Sequence, residues 1–79
     1  MTQEEVKQKV KKAVSEVLKI EQSEIDDDAN FIFDLGADSM QSMLLIAAFE
    51  DEFDIEMEVE KAQEVQSISE AIDFISGYL

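Results

Sequence analysis

Leu35-Gly36-Ala37-Asp38-Ser39-Met40-Gln41-Ser42-Met43-Leu44-Leu45-Ile46-Ala47-Ala48-Phe49-Glu50-Asp51-Glu52-Phe53 is the stretch on which the fold turns. Asp38 stands three residues before Gln41 and just ahead of an apolar-rich run, the signature of a capping box at a helix start. The spacing predicts a helix over Ser39 to Phe53 with Ser39 as its first residue. Backbone N–H groups lack partners at such a position and the helix dipole favours an anion, so a phosphate esterified to Ser39 would be stabilised there. Gly36 permits a tight turn before the cap and leaves the serine an open approach. By itself an Asp-Ser pair is more often an ordinary helix cap.

The helix is too apolar for a single buried stripe. Leu45, Phe49 and Phe53 recur at four-residue intervals with Ile46 and Ser42 beside them, which defines a core face. Met40, Met43, Leu44, Ala47 and Ala48 remain, and Met40, Leu44 and Ala47 fall along one ridge leading away from Ser39. Either the ridge is an exposed contact surface, for which flexible methionines are suited, or it packs under the loop or the third helix.

Outward from this helix, Thr2-Gln3-Glu4-Glu5 reads as a second capping box. Val6, Val10, Ala13, Val14, Val17 and Leu18 follow at three- and four-residue steps, predicting an amphipathic helix over Thr2 to Lys19. It holds five of the six lysines, on what the spacing makes a solvated face. The residues after Lys19 hold one lysine and seventeen of the twenty acids. From Ile20 to Asp38 no period persists, so a long loop is expected, pinned inward by Ile25, Phe31, Phe33 and Leu35. Its Asp26-Asp27-Asp28 cluster lacks the glycine and terminal glutamate of an EF-hand loop, and no metal site is assigned.

Beyond Phe53, Asp54 to Glu60 alternates acidic and apolar residues. With no partner strand it should be an extended connection with Met57 pointing inward. Val59 to Glu64 allows a short helix, with Ala62 and Val65 inward. Ser67-Ile68-Ser69-Glu70 is a third capping box, and Ile68, Ala71, Ile72 and Ile75 make an apolar stripe ending at Gly77, a candidate C-terminal cap. Phe74 and Tyr78 are expected to close the lower core.

Proline is absent, glycine occurs only twice, and valine and isoleucine are scattered at helical spacing, so the chain should be all-α. Its 79 residues suffice for one small domain, residues 1–79. A net charge of −14 and a pI near 4.1 argue against nucleic acid and anionic membranes and favour basic partners. No secretory signal or membrane span is recognisable, so a cytoplasmic location and no stable membrane association are expected. Without cysteine, histidine or arginine there is no disulfide, no thiolate metal site and no base beside a serine nucleophile. Ser39 is therefore more readily acted upon than acting, and the chain is not expected to be an enzyme. Read from residues alone, a bare acidic interaction module and a calcium-responsive helical protein stand beside a carrier.

Leu35-Gly36-Ala37-Asp38-Ser39-Met40 resembles the Leu-Gly-x-Asp-Ser-Leu motif of acyl carrier proteins, whose serine receives 4′-phosphopantetheine from coenzyme A. Length, acidity and the Glu-Asp-Glu-Phe run at Glu50 to Phe53 extend the similarity over nearly the whole chain. The resemblance implies a four-helix bundle of acyl-carrier type, with a long first loop and a short, mobile third helix. It implies 4′-phosphopantetheine on Ser39 beside Asp38, and an acyl chain received among Leu45, Ile46, Phe49, Met57, Ala62, Val65, Ala71 and Ile72. It further implies a monomer that meets a phosphopantetheinyl transferase and acyl-transferring, condensing or reducing enzymes with basic patches, in fatty acid, lipid or polyketide-type biosynthesis.

The family usually has an acidic residue two places after the serine and a glutamate three places further on; here Gln41 and Leu44 stand there. Asp38, Glu50 and Asp51 keep acidic docking positions at the two ends of the helix. Met40, Met43, Leu44 and Ala47 make its middle apolar. Charge steers encounters, whereas an apolar centre discriminates between partners, so a carrier for a dedicated pathway is expected.

Overall fold

The computed structural model describes residues 1–79 and contains four α-helices: α1 Gln3–Leu18, α2 Ser39–Phe53, α3 Val59–Ala62 and α4 Ile68–Ser76. It has no strand, only a one-residue bridge between Asn30 and Ser67.

Each of the two long helices begins on a reciprocal cap. Thr2 Oγ1 accepts the Glu5 N–H and Glu5 reaches back to the Thr2 N–H, which holds the Glu5 carboxyl below the usual carboxylate range. At α2, Asp38 Oδ1 accepts the Gln41 N–H at 2.8 Å while Gln41 Oε1 accepts the Asp38 N–H at 3.1 Å. Both helices end on a residue in the left-handed region, Lys19 (φ 58°) and Asp54 (φ 54°). The expected box at α4 is only half formed. Ser67 Oγ accepts the Glu70 N–H, but the Glu70 carboxylate meets the Ser67 hydroxyl rather than its backbone N–H. Gly77 caps α4 in the right-handed region, so its glycine freedom is not used. The third helix stops two residues short of Glu64. The N–H of Glu64 turns back to Lys61 O and that of Val65 to Ala62 O, a tighter winding that ends the α-helix.

One core of 18 buried residues unites the chain, and every one of them is apolar. Helix α1 packs along both α2 and α4 through Val6, Val10, Ala13 and Val14. Helices α2 and α4 do not approach each other closely, and α3 touches the rest only lightly. Met57 is buried, as the alternation of its segment predicted. Tyr78 meets Phe74 edge to face at 5.3 Å and its hydroxyl accepts the Glu58 N–H, so it fastens the segment before α3 to the end of α4.

The long loop carries a single 3-10 turn, Gln22–Glu24, and is pinned by Ile25, Ala29, Phe31 and Ala37. Phe33 does not pin it: its ring is 87% exposed. The reason is local. Asn30 Oδ1 accepts the N–H groups of both Ile32 and Phe33 at 2.9 Å, and Asp34 Oδ2 accepts the Asn30 N–H at 2.7 Å. The resulting turn sends Phe31 inward and Phe33 outward. Its base is held by the N–H of Phe31 on Gln66 O and that of Ile68 on Ala29 O.

The lysines of α1 are not merely solvated. Asp27 bridges to Lys11 at 2.6 Å and Lys7 at 3.3 Å, Lys12 reaches Glu52 at 3.3 Å, and Lys9 lies over the Phe53 ring. The hydrogen bond from Lys11, then that from Lys7, holds the Asp27 carboxyl below the usual aspartate range, and Asp27 in turn raises Lys7. A lowered folded-state pKa means that this clamp contributes fully above the unfolded aspartate value. Its contribution is lost as pH falls through the lowered value. A carboxyl-detected NMR titration should place Asp27 below ordinary aspartate, and Lys11→Ala should move it upward. An Asp27 titration unmoved by that substitution would remove the clamp from the account.

Candidate functional site

Ser39 opens α2 and is exposed, with the Asp38 cap behind it. Asp38 spends its carboxylate on the Gln41 N–H, and the Ser42 N–H goes to Asp38 O. The N–H groups of Ser39 and Met40 meet no acceptor within the protein. Gly36 adopts φ 75°, and a Cβ built there would meet nothing within 4 Å, while Ser39 itself is exposed. Its glycine is required by that backbone angle rather than by crowding. Two free donors at the positive end of a helix dipole and an unobstructed hydroxyl form a place where a phosphodiester fits.

Beside Ser39 lies a cavity of about 480 Å³ between α2, α3 and α4, the space left because α2 and α4 stand apart. Leu45, Ile46, Phe49, Met57, Ala62, Val65 and Ala71 all line it. Ile72 does not. It is buried, but one position round α4 from Ala71 is about 100° of turn, which takes it off this wall. Phe31, Phe74 and Ile75 also line the cavity, with Phe31 and Phe49 at 6.5 Å between ring centroids. For Phe74 the signal was present in the sequence, since it lies off the centre of the α4 stripe and so faces a neighbour other than α1. The rim is more polar: Asn30, Ser42, Gln63 and Gln66 stand there with Ile32, Phe33, Ser39 and Met43. Gln63 Nε2 donates to Met43 Sδ at 3.1 Å, a single contact joining the end of α3 to α2.

The outer face of α2 carries the apolar ridge in the open: Met40 is 73% exposed, Leu44 51% and Met43 45%, with Ala47 exposed beyond. Asp38 and Asp51 are exposed at its two ends. Glu50 is half-buried and accepts the Met57 N–H at 2.8 Å, so one of its oxygens serves the segment before α3. No helix is long and apolar enough to cross a membrane.

The molecule is a small helical bundle that displays a serine at one helix N-terminus with an apolar cavity next to it. Residues 8–75 match the family model described as the phosphopantetheine attachment site. An acyl carrier protein from Buchnera aphidicola subsp. Acyrthosiphon pisum is 44% identical over 72 residues, 91% of this chain and 90% of that one. A solved structure from Mycobacterium tuberculosis, provisionally described as an acyl carrier protein, superposes with a TM-score of 0.83 over 91% of this chain and 96% of the other, at 24% identity; it speaks for the fold alone. The chain belongs to the acyl carrier protein family, whose prosthetic group is 4′-phosphopantetheine.

Proposed function

We propose that residues 1–79 act as one acyl carrier domain and that Ser39 Oγ is the atom to which 4′-phosphopantetheine is joined. The observation that carries this reading is the exposed Ser39 at the start of α2, with unpartnered N–H groups on one side and a 480 Å³ apolar cavity on the other. The bound group supplies a thiol that holds an acyl chain as a thioester. The chain's own residues do the rest. The N–H groups of Ser39 and Met40 face the phosphate position, and Asp38 keeps the helix start in register. Leu45, Ile46, Phe49, Met57, Ala62, Val65 and Ala71 offer a dry wall to an acyl chain, with Phe31, Phe74 and Ile75 completing it. The chain has no histidine to serve as a base for Ser39, and Asp38 beside it is engaged in the helix cap, so attachment and transfer belong to partner enzymes, a phosphopantetheinyl transferase first among them.

Those partners meet α2. Asp38 and Asp51, with the free oxygen of Glu50, draw a basic surface, while Met40, Met43, Leu44 and Ala47 supply the apolar centre. With Leu44 at that centre the chain suits an enzyme whose basic patch surrounds an apolar socket, and hence a dedicated pathway. It operates as a monomer among soluble enzymes in the cytoplasm.

Intact mass after incubation with coenzyme A and a broad-specificity transferase is the test. The protein should gain one phosphopantetheinyl group, and Ser39→Ala should gain none. No gain by the unaltered chain would sink the carrier reading, and a gain that persists in the variant would move attachment to another hydroxyl.

A further inference from the structure

Phe33 is an aromatic side chain that neither the core nor α2 uses. Its ring is 87% exposed, more than any other large apolar side chain here, yet it borders the cavity together with Ile32, Ser39 and Met43. Its backbone is not loose. The N–H of Phe33 is fixed on Asn30 Oδ1, that of Gly36 on Ile32 O at 3.1 Å and that of Ala37 on Phe31 O at 2.8 Å. The only freedom left is in the ring's own two torsions, so little entropy opposes laying it down on an apolar surface. A chain attached through Ser39 must cross this rim to enter the cavity, because the opposite side is closed by the packing of α1 on α2 and α4.

We propose that Phe33 is a positioning residue for cargo: when an acyl chain occupies the cavity, the ring folds across the rim and covers the carbons nearest the thioester. This rests on the carrier reading and extends it by making the rim sensitive to chain length. A chain long enough to insert passes beneath the ring and gains its cover. A two-carbon chain inserts too little and gains none. The exposed ring thus has an apolar partner only in the loaded protein, which accounts for a phenylalanine held in water by a rigid turn. An aromatic anchor for a partner enzyme is the competing use of the same ring, and the test separates the two because it contains no partner.

The protein, Phe33→Ala and Phe33→Leu are each loaded with octanoyl- or acetyl-phosphopantetheine by a broad-specificity transferase acting on the matching acyl coenzyme A. Loading is checked by mass. Hydroxylamine then cleaves the thioester to hydroxamate and free thiol, and the rate reports cover. Phe33→Ala should be cleaved roughly fivefold faster as the octanoyl form, the factor for one aromatic contact of about 1 kcal/mol. Its acetyl form and the melting temperature of its unloaded form should be unchanged, and Phe33→Leu should recover part of the protection. Equal octanoyl rates in all three proteins would overturn the proposal and leave the ring to partner docking. A fall in the melting temperature of unloaded Phe33→Ala would overturn it too, by making the ring structural. Failure of the unaltered protein to take up any group is a different result, and counts against the carrier reading itself.

Discussion

Phe49→Ala is expected to lower the unfolding free energy of the unloaded protein by about 3–5 kcal/mol, the usual loss for a buried phenylalanine. A domain of this length holds only about 4–12 kcal/mol in all, so the variant should be close to its limit at room temperature. Phe49 is 5% exposed, stacks obliquely on Phe31 and walls the cavity from α2, so its removal merges a new void with one already present. Loading should then repair the variant more than it helps the unaltered protein. Three additional buried methylenes would return about 2 kcal/mol at ~0.8 kcal/mol each. Urea denaturation of the unloaded and octanoyl forms measures both numbers. Equal stabilisation by octanoyl in both proteins would mean that the chain does not reach Phe49.

Ile68→Ala should cost a similar amount, about 2–5 kcal/mol, but without repair by cargo. Ile68 is fully buried and lies off the cavity wall, in the first turn of α4, where its N–H also ties α4 to Ala29 O. The void left there opens onto α1-side packing instead of the acyl path. Octanoyl loading should therefore stabilise this variant by the same increment as the unaltered protein, as independent sites do. A selective rescue of Ile68→Ala would place the chain deeper than the cavity between α2, α3 and α4. Together the two variants locate cargo by thermodynamics alone.

The helices were legible because caps and apolar spacing are local properties. Asp38 with Gln41 and the run to Phe53 bounded α2 to the residue, while α1, expected over Thr2 to Lys19, is one residue shorter at each end because Thr2 and Lys19 are its caps. What escaped was set by hydrogen bonds and by gaps. The outward turn of Phe33 depends on which N–H groups Asn30 Oδ1 accepts, and hydrophobic spacing says nothing about that. The half-use of Glu50 depends on a backbone N–H seven residues away. Membership of the cavity wall was readable for seven residues, since six of them belong to the core in any case and Val65 packs against it. The exception, Ile72, shows why: periodicity tells which residues turn inward, not which inward residues face a neighbour and which face a space. Leu44 was legible as apolar and out of pattern, and its exposure settled only when α1 and α4 were seen to pack elsewhere.

The separation of α2 from α4 has a consequence for volume as well as for cargo. A folded chain that encloses unfilled space occupies more volume than its atoms need, and hydrostatic pressure favours whichever state eliminates the void. The empty carrier should accordingly be compressible for its size, and pressure should drive it toward unfolding through the region around α3, where packing is thinnest. On the function proposed above, an inserted chain would remove that volume without a change of fold. Cargo would then act as a filler that hardens the protein, and squeezing the solution would weigh how much of the space is taken.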